Sequence, residues 1–266
     1  MSFKTEVINI LGDSTGADAS HVADSIVNAT NAEQIVEDSL WDLANLLPSE
    51  LLLNTAANLA DGGATVNLDK ETRVLLVERK DTVSNSLYYP CNEVAYHQHS
   101  KYIDDSSIYH ATNFSPIWYK VGITSDSSQK YGQIKVYPST NASTNIWLYE
   151  KMSVKKCGTA PTVDTPTADD YANWFWDGSA DVFATLGDPA VTYYNYAAPH
   201  FFPKEAHLAL KLLIASRLGN QYLVDFAINE EDGEVIGLVK AALDTIDVEF
   251  KMQIDRLGVT KDKESA

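Results

Sequence analysis

The stretch EVIGLVKAALDTIDVEFKMQI, residues 234–254, places apolar side chains at a regular helical interval. They follow one another at spacings of 3, 4, 3, 4 and 4 residues: Ile236, Val239, Leu243, Ile246, Phe250 and Ile254. Such near-heptad spacing gathers side chains along one face of an α-helix. The helix therefore needs an apolar partner, and two are open: the preceding segment of the same chain or a helix of another chain.

Helical patterns stand at both ends of the chain. The segment FPKEAHLALKLLIASRLGNQYLVDF opens with Pro203, which suits a first helical turn, and continues with apolar and small residues at helical spacing. We expect helices over 203–227 and 233–255. Near the N-terminus, apolar residues recur at helical intervals from about 17 to 46, and Pro48 should end that helix before a short second one.

The residue pattern in the middle of the chain predicts short strands. ATVNLD and TRVLLVER, two β-branched runs around a polar turn, predict a hairpin. Further strand candidates, separated by turn-forming residues, are SIYHAT (107–112), PIWYKVG (116–122), GQIKVYP (132–138) and NIWLYEKMSV (145–154). Strands at this spacing predict a small antiparallel sheet or barrel, not a parallel nucleotide-binding sheet.

The sequence therefore predicts an α+β fold, a helical bundle with an inserted small antiparallel β-sheet or barrel domain. Residues 1–60 form the N-terminal helical part, and 61–157 form the inserted β-domain. Residues 199–266, with two long helices, complete the bundle. Between them, 158–198 mixes Pro and Thr with aromatic residues, so we expect a long excursion that packs against a neighbour.

The charge and the cysteines exclude several classes of function. With 37 acidic and 20 basic residues the formal charge is −17, which disfavours a groove for nucleic acid and docking on an anionic membrane. Cys91 and Cys157 form no disulfide framework, so a reducing compartment is expected. No signal peptide is evident, and no apolar run reaches the ~20 residues of a membrane helix. We expect a protein made in a cytoplasm.

A metal site is the first chemical hypothesis. His97 and His99 form an H-x-H that would share one face of a strand, and Asp104, Asp105 or His110 could add a third ligand. The alternative is a turn of helix that separates the two rings. We favour the second interpretation, with the histidines as polar contacts, and predict neither a metal nor a cofactor.

A serine hydrolase is the second chemical hypothesis. NILGDSTG, residues 9–16, is similar to a Gly-Asp-Ser block in which a β-strand delivers Ser14 to a helix. The alternative is a turn that leads into a helix N-cap. No later Asp-x-x-His pair completes a triad, and packing alone explains the pattern around His207. We predict no catalytic residue and no enzyme, and keep a metal-dependent or serine hydrolase as an alternative.

Two progressions of residues carry a family resemblance. The first comprises Asp105, Ser107, Ile108, Tyr109, Ala111, Thr112, Ser115, Pro116, Ile117, Trp118, Tyr119, Ile134, Lys135, Val136, Tyr137 and Pro138. The second comprises Phe202, Pro203, Glu205, Ala206, Leu213, Ile214 and Ala215. Together with the order of the helical and strand blocks, they resemble the head-to-tail adaptor proteins of tailed bacteriophages. The resemblance covers residues 20–155 and 199–255, and 158–198 departs from the family's pattern.

The resemblance implies a structural protein of the virion neck. Such adaptors form a ring, usually of twelve copies, under the portal, bind tail, nozzle or tail-terminator proteins on the other side, and line the channel through which genomic DNA passes without specific binding. Another neck, nozzle or tail-completion protein of the virion remains an alternative.

The resemblance and the apolar stripes together give three sets of candidate contacts. For ring packing they are Leu208, Leu212, Ile236, Val239, Leu243, Ile246, Phe250 and Ile254. For the portal they lie in the C-terminal helix and tail: Lys251, Arg256, Leu257 and Lys261. For the tail they lie in the β-domain and the 158–198 excursion: His97, His99, Trp174, Phe175, Trp176, Tyr193 and Tyr194.

Overall fold

A computed structural model describes residues 3–15, 32–54, 57–59, 63–68, 71–80, 87–122, 131–139, 143–151, 202–228 and 233–259. The chain divides into two compact units: residues 1–48 with 152–266, here the helical unit, and residues 49–151, here the β unit. The predicted α+β fold, with a long C-terminal helix pair, is confirmed.

Most of the described helices precede or follow the strands in the chain. They are α1 (Phe3–Thr15), α2 (Ala32–Leu46), α3 (Ser49–Leu52), α4 (His99–Ile103), α5 (His207–Ile228) and α6 (Gly233–Arg256), with 3₁₀ turns at Tyr96–Gln98 and Lys204–Ala206. The strands are β1 (Ala57–Leu59), β2 (Thr65–Asn67), β3 (Thr72–Lys80), β4 (Tyr88–Pro90), β5 (Asn92–Glu93), β6 (Ile117–Val121), β7 (Gln133–Tyr137) and β8 (Thr144–Glu150).

Helix α5 is the centre of the helical unit, since it contacts α1, α2 and α6. It is therefore buried on most sides, at Ala209, Leu210, Leu212, Ile214, Ala215 and Leu218 among others. Gly219 allows α6 to approach closely, because a Cβ at this position would lie 2.5 Å from Leu243 Cδ2. A near-continuous apolar circumference is what a helix needs when neighbours surround it.

Polar contacts link α5 to each of its three neighbours. Lys211 forms an ion pair with Glu6 of α1. Arg217 Nη2 lies 2.6 Å from Asp42 Oδ2 of α2, and Ser216 Oγ donates to Asp247 Oδ1 of α6 at 2.6 Å. Because a hydrogen bond requires a defined distance and angle, these contacts fix how each neighbour is placed along α5.

The β unit contains two four-stranded sheets, in the orders β1-β8-β3-β4 and β2-β7-β6-β5. All pairs are antiparallel except β5–β6, which is parallel. Side chains from both sheets form one apolar core: Leu68, Val77, Trp118, Ile134, Val136, Ile146 and Leu148. The alternating burial along β7 and β8 is the period of two expected where one face of a strand enters such a core.

The predicted hairpin of ATVNLD with TRVLLVER is wrong. Strand β2 pairs with β7, whereas β3 pairs with β8 and β4, so the two runs belong to different sheets. Leu68, just after β2, and Val77 of β3 both enter the core between the sheets. The apolar faces of the two runs therefore meet across that core, where each is buried without the two strands pairing with each other.

The predicted strand SIYHAT is also wrong, because residues 104–110 form turns. Asp104 Oδ1 accepts from the Ser106 amide at 2.9 Å, and Ser107 Oγ accepts from the Tyr109 amide at 3.1 Å. Short polar side chains that bond nearby amides compete with a strand ladder for the same donors. Of the predicted strand, only Thr112 forms a bridge, to Ser115.

Two differences concern the N-terminal half. Residues 9–15 belong to α1, so neither a strand nor a turn delivers Ser14. Strand β1 lies inside the segment that the sequence predicts as helical. The predicted helix from 17 is seen from Ala32 onward, and residues 16–31 and the excursion 158–198 lie outside the described residues.

Candidate interaction surfaces

A covering segment, residues 94–116, packs on the outer face of the sheet that contains β6. Val94 and Ala111 are buried against Ile117 and Tyr119, with Tyr102, Ile103, Val121 and Tyr137 packed around them. The Ala111 amide donates to the Tyr102 carbonyl, and the Tyr137 hydroxyl donates to the Ile103 carbonyl at 3.3 Å. Strand β6 is therefore covered on both faces, which explains why Ile117, Trp118 and Tyr119 are buried in succession.

The two histidines of the H-x-H lie in a helical turn, not on a strand. His97 is in the 3₁₀ turn and exposed, and His99 begins α4. The His99 ring stacks on Tyr96 with centroids 4.8 Å apart and lies 5.0 Å from the Tyr119 ring. Its Nδ1 is hydrogen-bonded to the Tyr96 carbonyl oxygen. The strand geometry required for a shared metal-binding face is therefore not formed.

The other candidate ligands of that metal hypothesis do not join the two histidines. His110 Nδ1 lies 3.5 Å from Asp105 Oδ1, and the His110 ring meets Tyr137 edge-on at 6.0 Å. Asp104 is used in the turn that precedes them. In the part of the chain that the structure describes, no group of three or more His, Cys, Asp or Glu side chains is placed to hold a metal ion.

In the described residues, the geometry that the serine-hydrolase hypothesis requires around Ser14 and His207 is not formed either. It requires a strand before Ser14, but that residue is near the end of α1. His207 Nε2 lies 3.0 Å from the Phe202 carbonyl oxygen, a contact that places it at the start of α5. The arrangement is that of a histidine that caps local backbone rather than one that activates a hydroxyl.

The covering segment carries a loop with large exposed apolar side chains, which we call the aromatic loop (residues 104–116). Ile108 is 91% exposed, Phe114 67% and Tyr109 58%. Phe114 meets Tyr89 edge-on at a centroid distance of 5.7 Å, and Tyr109 lies 6.3 Å from Tyr102. Clustered apolar exposure of this kind marks an interaction surface more often than chance.

Helix α6 has an inner stripe, which is the one that the sequence indicates. Val239, Leu243 and Ile246 are buried, and Ile236, Phe250 and Ile254 are half-buried. Of the two partners that the sequence left open, the structure gives α6 the preceding helix of the same chain, α5, and α6 also contacts α1. The ring-packing candidates Leu212, Val239, Leu243 and Ile246 are therefore occupied inside the helical unit, whereas Leu208 is 46% exposed.

The opposite face of α6 carries a second stripe, here the outer stripe, which sequence reasoning missed. It consists of residues spaced 3, 4, 3 and 4 apart: Leu238, Ala241, Thr245, Val248 and Met252. All five are exposed, with Leu238 at 58%, Val248 at 57% and Met252 at 50%. At ~100° per residue the two stripes lie about 180° apart. The period was visible in the sequence, but Ala241 and Thr245 weaken it.

The remaining predicted contacts fall into two groups. Lys251 and Arg256 are exposed near the end of α6, and Leu257 is half-buried just beyond it. Trp174, Phe175, Trp176, Tyr193, Tyr194 and Lys261 lie outside the described residues. The structure thus gives two surfaces to reason from, the aromatic loop and the faces of α6.

Buried ionisable groups in the β unit serve packing. Arg79 is 1% exposed, and its guanidinium donates to the Pro138 carbonyl at 2.8 Å and to the Lys80 carbonyl at 2.6 Å. Burial raises the pKa of the Cys91 thiol to about 12, even though Arg79 opposes the shift. Burial likewise raises the pKa of Tyr149. These groups stay in their uncharged or hydrogen-bonded forms, which suits a core rather than proton transfer.

No protein-family model matches the chain, and no curated protein or solved structure was found to be similar to it. Among the described helices, none is long and apolar enough to cross a membrane. The function is therefore inferred from the arrangement of surfaces and from the resemblance carried by the residues above.

Proposed function

We propose that the chain is a virion structural protein, a head–tail adaptor that forms a ring of twelve copies beneath the portal of a tailed bacteriophage. In this role it joins the capsid to the tail at the virion neck. Its partners are further copies of itself, the portal protein and tail, nozzle or tail-terminator proteins. Genomic DNA passes through the ring without being bound specifically.

The observation that carries this proposal is the arrangement of the two units along the chain. Both ends of the chain pack into one helical unit, and the β unit is inserted between them. That is the arrangement that the adaptor resemblance implies. An insertion of this kind supports a protein with two separate partners, because each unit has its own core and its own outer surface.

Separate apolar surfaces on the two units support the same division of contacts. On the helical unit, Leu208, Val224 and the outer stripe are exposed; on the β unit, the aromatic loop is exposed. We assign the helical surfaces around Leu208 and Val224 to neighbouring copies and the portal, and the aromatic loop to the tail. A ring subunit uses two different surfaces against its neighbours, closed by rotation, so the helical unit must offer more than one.

The acidic composition also fits a DNA channel. Twelve copies at −17 each would carry a formal charge of −204. Walls that repel phosphate avoid the counterion release that would hold DNA in place. Replacing acidic residues of the channel wall with lysine should slow DNA ejection, and unchanged ejection would count against this part of the proposal.

The test is to mix the purified protein with the portal ring of the same particle and to image the product by electron microscopy. The proposal predicts a symmetric collar under the portal. A collar that fails to form, with the protein joining tail assemblies instead, would identify another neck or tail-completion protein. A protein that joins neither would leave the adaptor role without support.

One variant and its control separate the two faces of the adaptor. A Phe114→Ser/Ile108→Ser variant should still form the collar but should fail to recruit the tail, because it removes the apolar surface of the aromatic loop. The matched control is Tyr131→Ser, which alters another exposed aromatic residue of the β unit, 43% exposed, outside that loop. Equal loss of tail binding in both variants would contradict the assignment of the aromatic loop.

A further inference from the structure

We propose that the outer stripe of α6 binds the outer stripe of a second copy of this chain, with the two helices antiparallel. The proposal concerns the free protein and does not depend on the adaptor role. It begins from an exposed face with coiled-coil spacing, at residues 238, 241, 245, 248 and 252. In heptad terms Leu238, Thr245 and Met252 occupy one core position, and Ala241 and Val248 occupy the other.

The charges that flank the stripe show which partner fits. One edge carries Asp244 and Lys251, and the other carries Glu249 and Arg256; all four are exposed. In a parallel pair, opposite edges meet across the interface. Asp244 would then face Glu249 of the second copy, and Lys251 would face Arg256 of the second copy. Both contacts join like charges, so a parallel pair is disfavoured.

In an antiparallel pair, like edges meet instead. When the two-fold axis passes between residues 246 and 247, Asp244 lies diagonally across the shared edge from Lys251 of the second copy, two residues beyond the position directly opposite, and the symmetry repeats this contact. Shifting the register by one heptad, which moves the two-fold axis by half a heptad, would bring the two Asp244 side chains together. The charges therefore favour one orientation and one register, which is how flanking residues specify pairing in coiled coils.

Two layers of the stripe are complementary in the same register. Met252 lies opposite Ala241 of the second copy, a large residue against a small one, and Val248 lies opposite Thr245. Alternation of large and small residues lets facing layers interdigitate. A two-fold interface of this kind uses the same surface on both copies, so it gives a closed dimer and nothing larger.

The experiment is sedimentation equilibrium of the full-length protein over a series of concentrations at low and high salt. The proposal predicts a monomer–dimer equilibrium that weakens as salt rises, because exposed ion pairs are screened. Lys251→Asp should weaken the dimer about tenfold, since it replaces two attractive contacts with two repulsive ones. Asp244→Lys should weaken it similarly, and the Asp244→Lys/Lys251→Asp double variant should restore it.

The matched control is Lys240→Asp, which makes the same change in charge at an exposed position of α6 away from the paired edge. It should leave the dimer within about twofold of the native protein. Circular dichroism shows that each variant is folded. A native protein that stays monomeric at every concentration, an assembly larger than a dimer, a double variant that fails to recover, or a control as weak as Lys251→Asp would each overturn the proposal. A failed portal collar would not, so the two proposals fail separately.

Discussion

Strand β6 and helix α6 each present apolar side chains on two opposite faces, but the chain covers both faces only of β6. Trp118 enters the core between the sheets, whereas Ile117 and Tyr119 pack under the covering segment. On α6, Leu243 is buried against α5, while Leu238, on the other side, is 58% exposed. A chain that supplies a cover for one apolar face and leaves another exposed marks the second as a surface for another molecule.

The largest effect is expected at the doubly covered strand. Trp118→Ala should lower the free energy of unfolding of the β unit by about 3–5 kcal/mol, because it removes a large side chain from the core and leaves a cavity. Urea denaturation measures this loss. Tyr109→Ala, at an exposed residue of the same unit, should change it by less than about 0.5 kcal/mol. A Trp118→Ala loss as small as that of Tyr109→Ala would show that the two-sheet core is wrong.

The two faces of α6 give the next comparison. Leu243→Ala should destabilise the helical unit by about 2–5 kcal/mol, since Leu243 packs against Gly219 and is 3% exposed. Leu238→Ala makes the same chemical change on the outer stripe and should change stability by less than about 0.5 kcal/mol. Thermal or urea unfolding of the two variants at low protein concentration tests this. Equal effects would mean that the outer stripe is also covered within the single chain.

A polar pair of variants sharpens the same contrast. Ser216→Ala removes the 2.6 Å donor to Asp247 between α5 and α6 and should destabilise the helical unit by about 1 kcal/mol. Thr245→Ala, on the outer stripe, removes only a 3.2 Å bond from the Thr245 hydroxyl to the Ala241 carbonyl of the same helix. Because alanine favours helix more than threonine does, that change should be neutral or slightly stabilising. The reverse order of the two effects would contradict the assignment of inner and outer faces.

The smallest effect concerns Cys91, which packs against the core between the two sheets, and the pH dependence that it gives to the stability of the β unit. Burial raises the pKa of Cys91 to about 12, above the value of an unfolded cysteine, ~8.5. The unfolded state therefore loses this proton first, and the contribution of Cys91 to stability falls as pH rises from about 9 to 12. At pH 8, Cys91 should react with a thiol reagent far more slowly in the folded protein than in urea.

A Cys157→Ser background isolates this reaction, because it leaves one thiol in the chain. The rate of labelling is followed by absorbance with a chromogenic disulfide reagent. Labelling at the same rate in folded and unfolded protein would show that Cys91 is neither buried nor held in its protonated form.

The sequence predicts the helical unit well and the β pairing poorly, for physical reasons. A helix is specified locally, so the spacing of Leu243, Ile246 and Phe250 is enough to predict both α6 and its inner face. Strand partners are chosen by contacts far apart in the chain, and adjacent runs pair only when their buried faces allow it. Strands β2 and β3 did not pair because both contribute to one core from different sheets.

The candidate surfaces were harder to predict than the fold. His97 and His99 form a pattern that is typical of metal sites, but the His99 ring packs against the rings of Tyr96 and Tyr119. The outer stripe could not be recognised as a surface from the sequence, because a periodic apolar face usually packs into a core. The inner stripe already accounts for the packing of α6. Exposure cannot be read from periodicity, since two faces with the same spacing differ only in what packs against them.

The most direct test of the central claim, that another molecule covers the outer stripe, is hydroxyl-radical footprinting at low and high protein concentration. Met252 reports on the outer stripe, and Tyr109 on the β unit serves as an exposed reference. We predict that oxidation of Met252 falls as concentration rises while oxidation of Tyr109 does not change. Equal oxidation of Met252 at all concentrations would contradict the claim, because the face would then remain open to solvent.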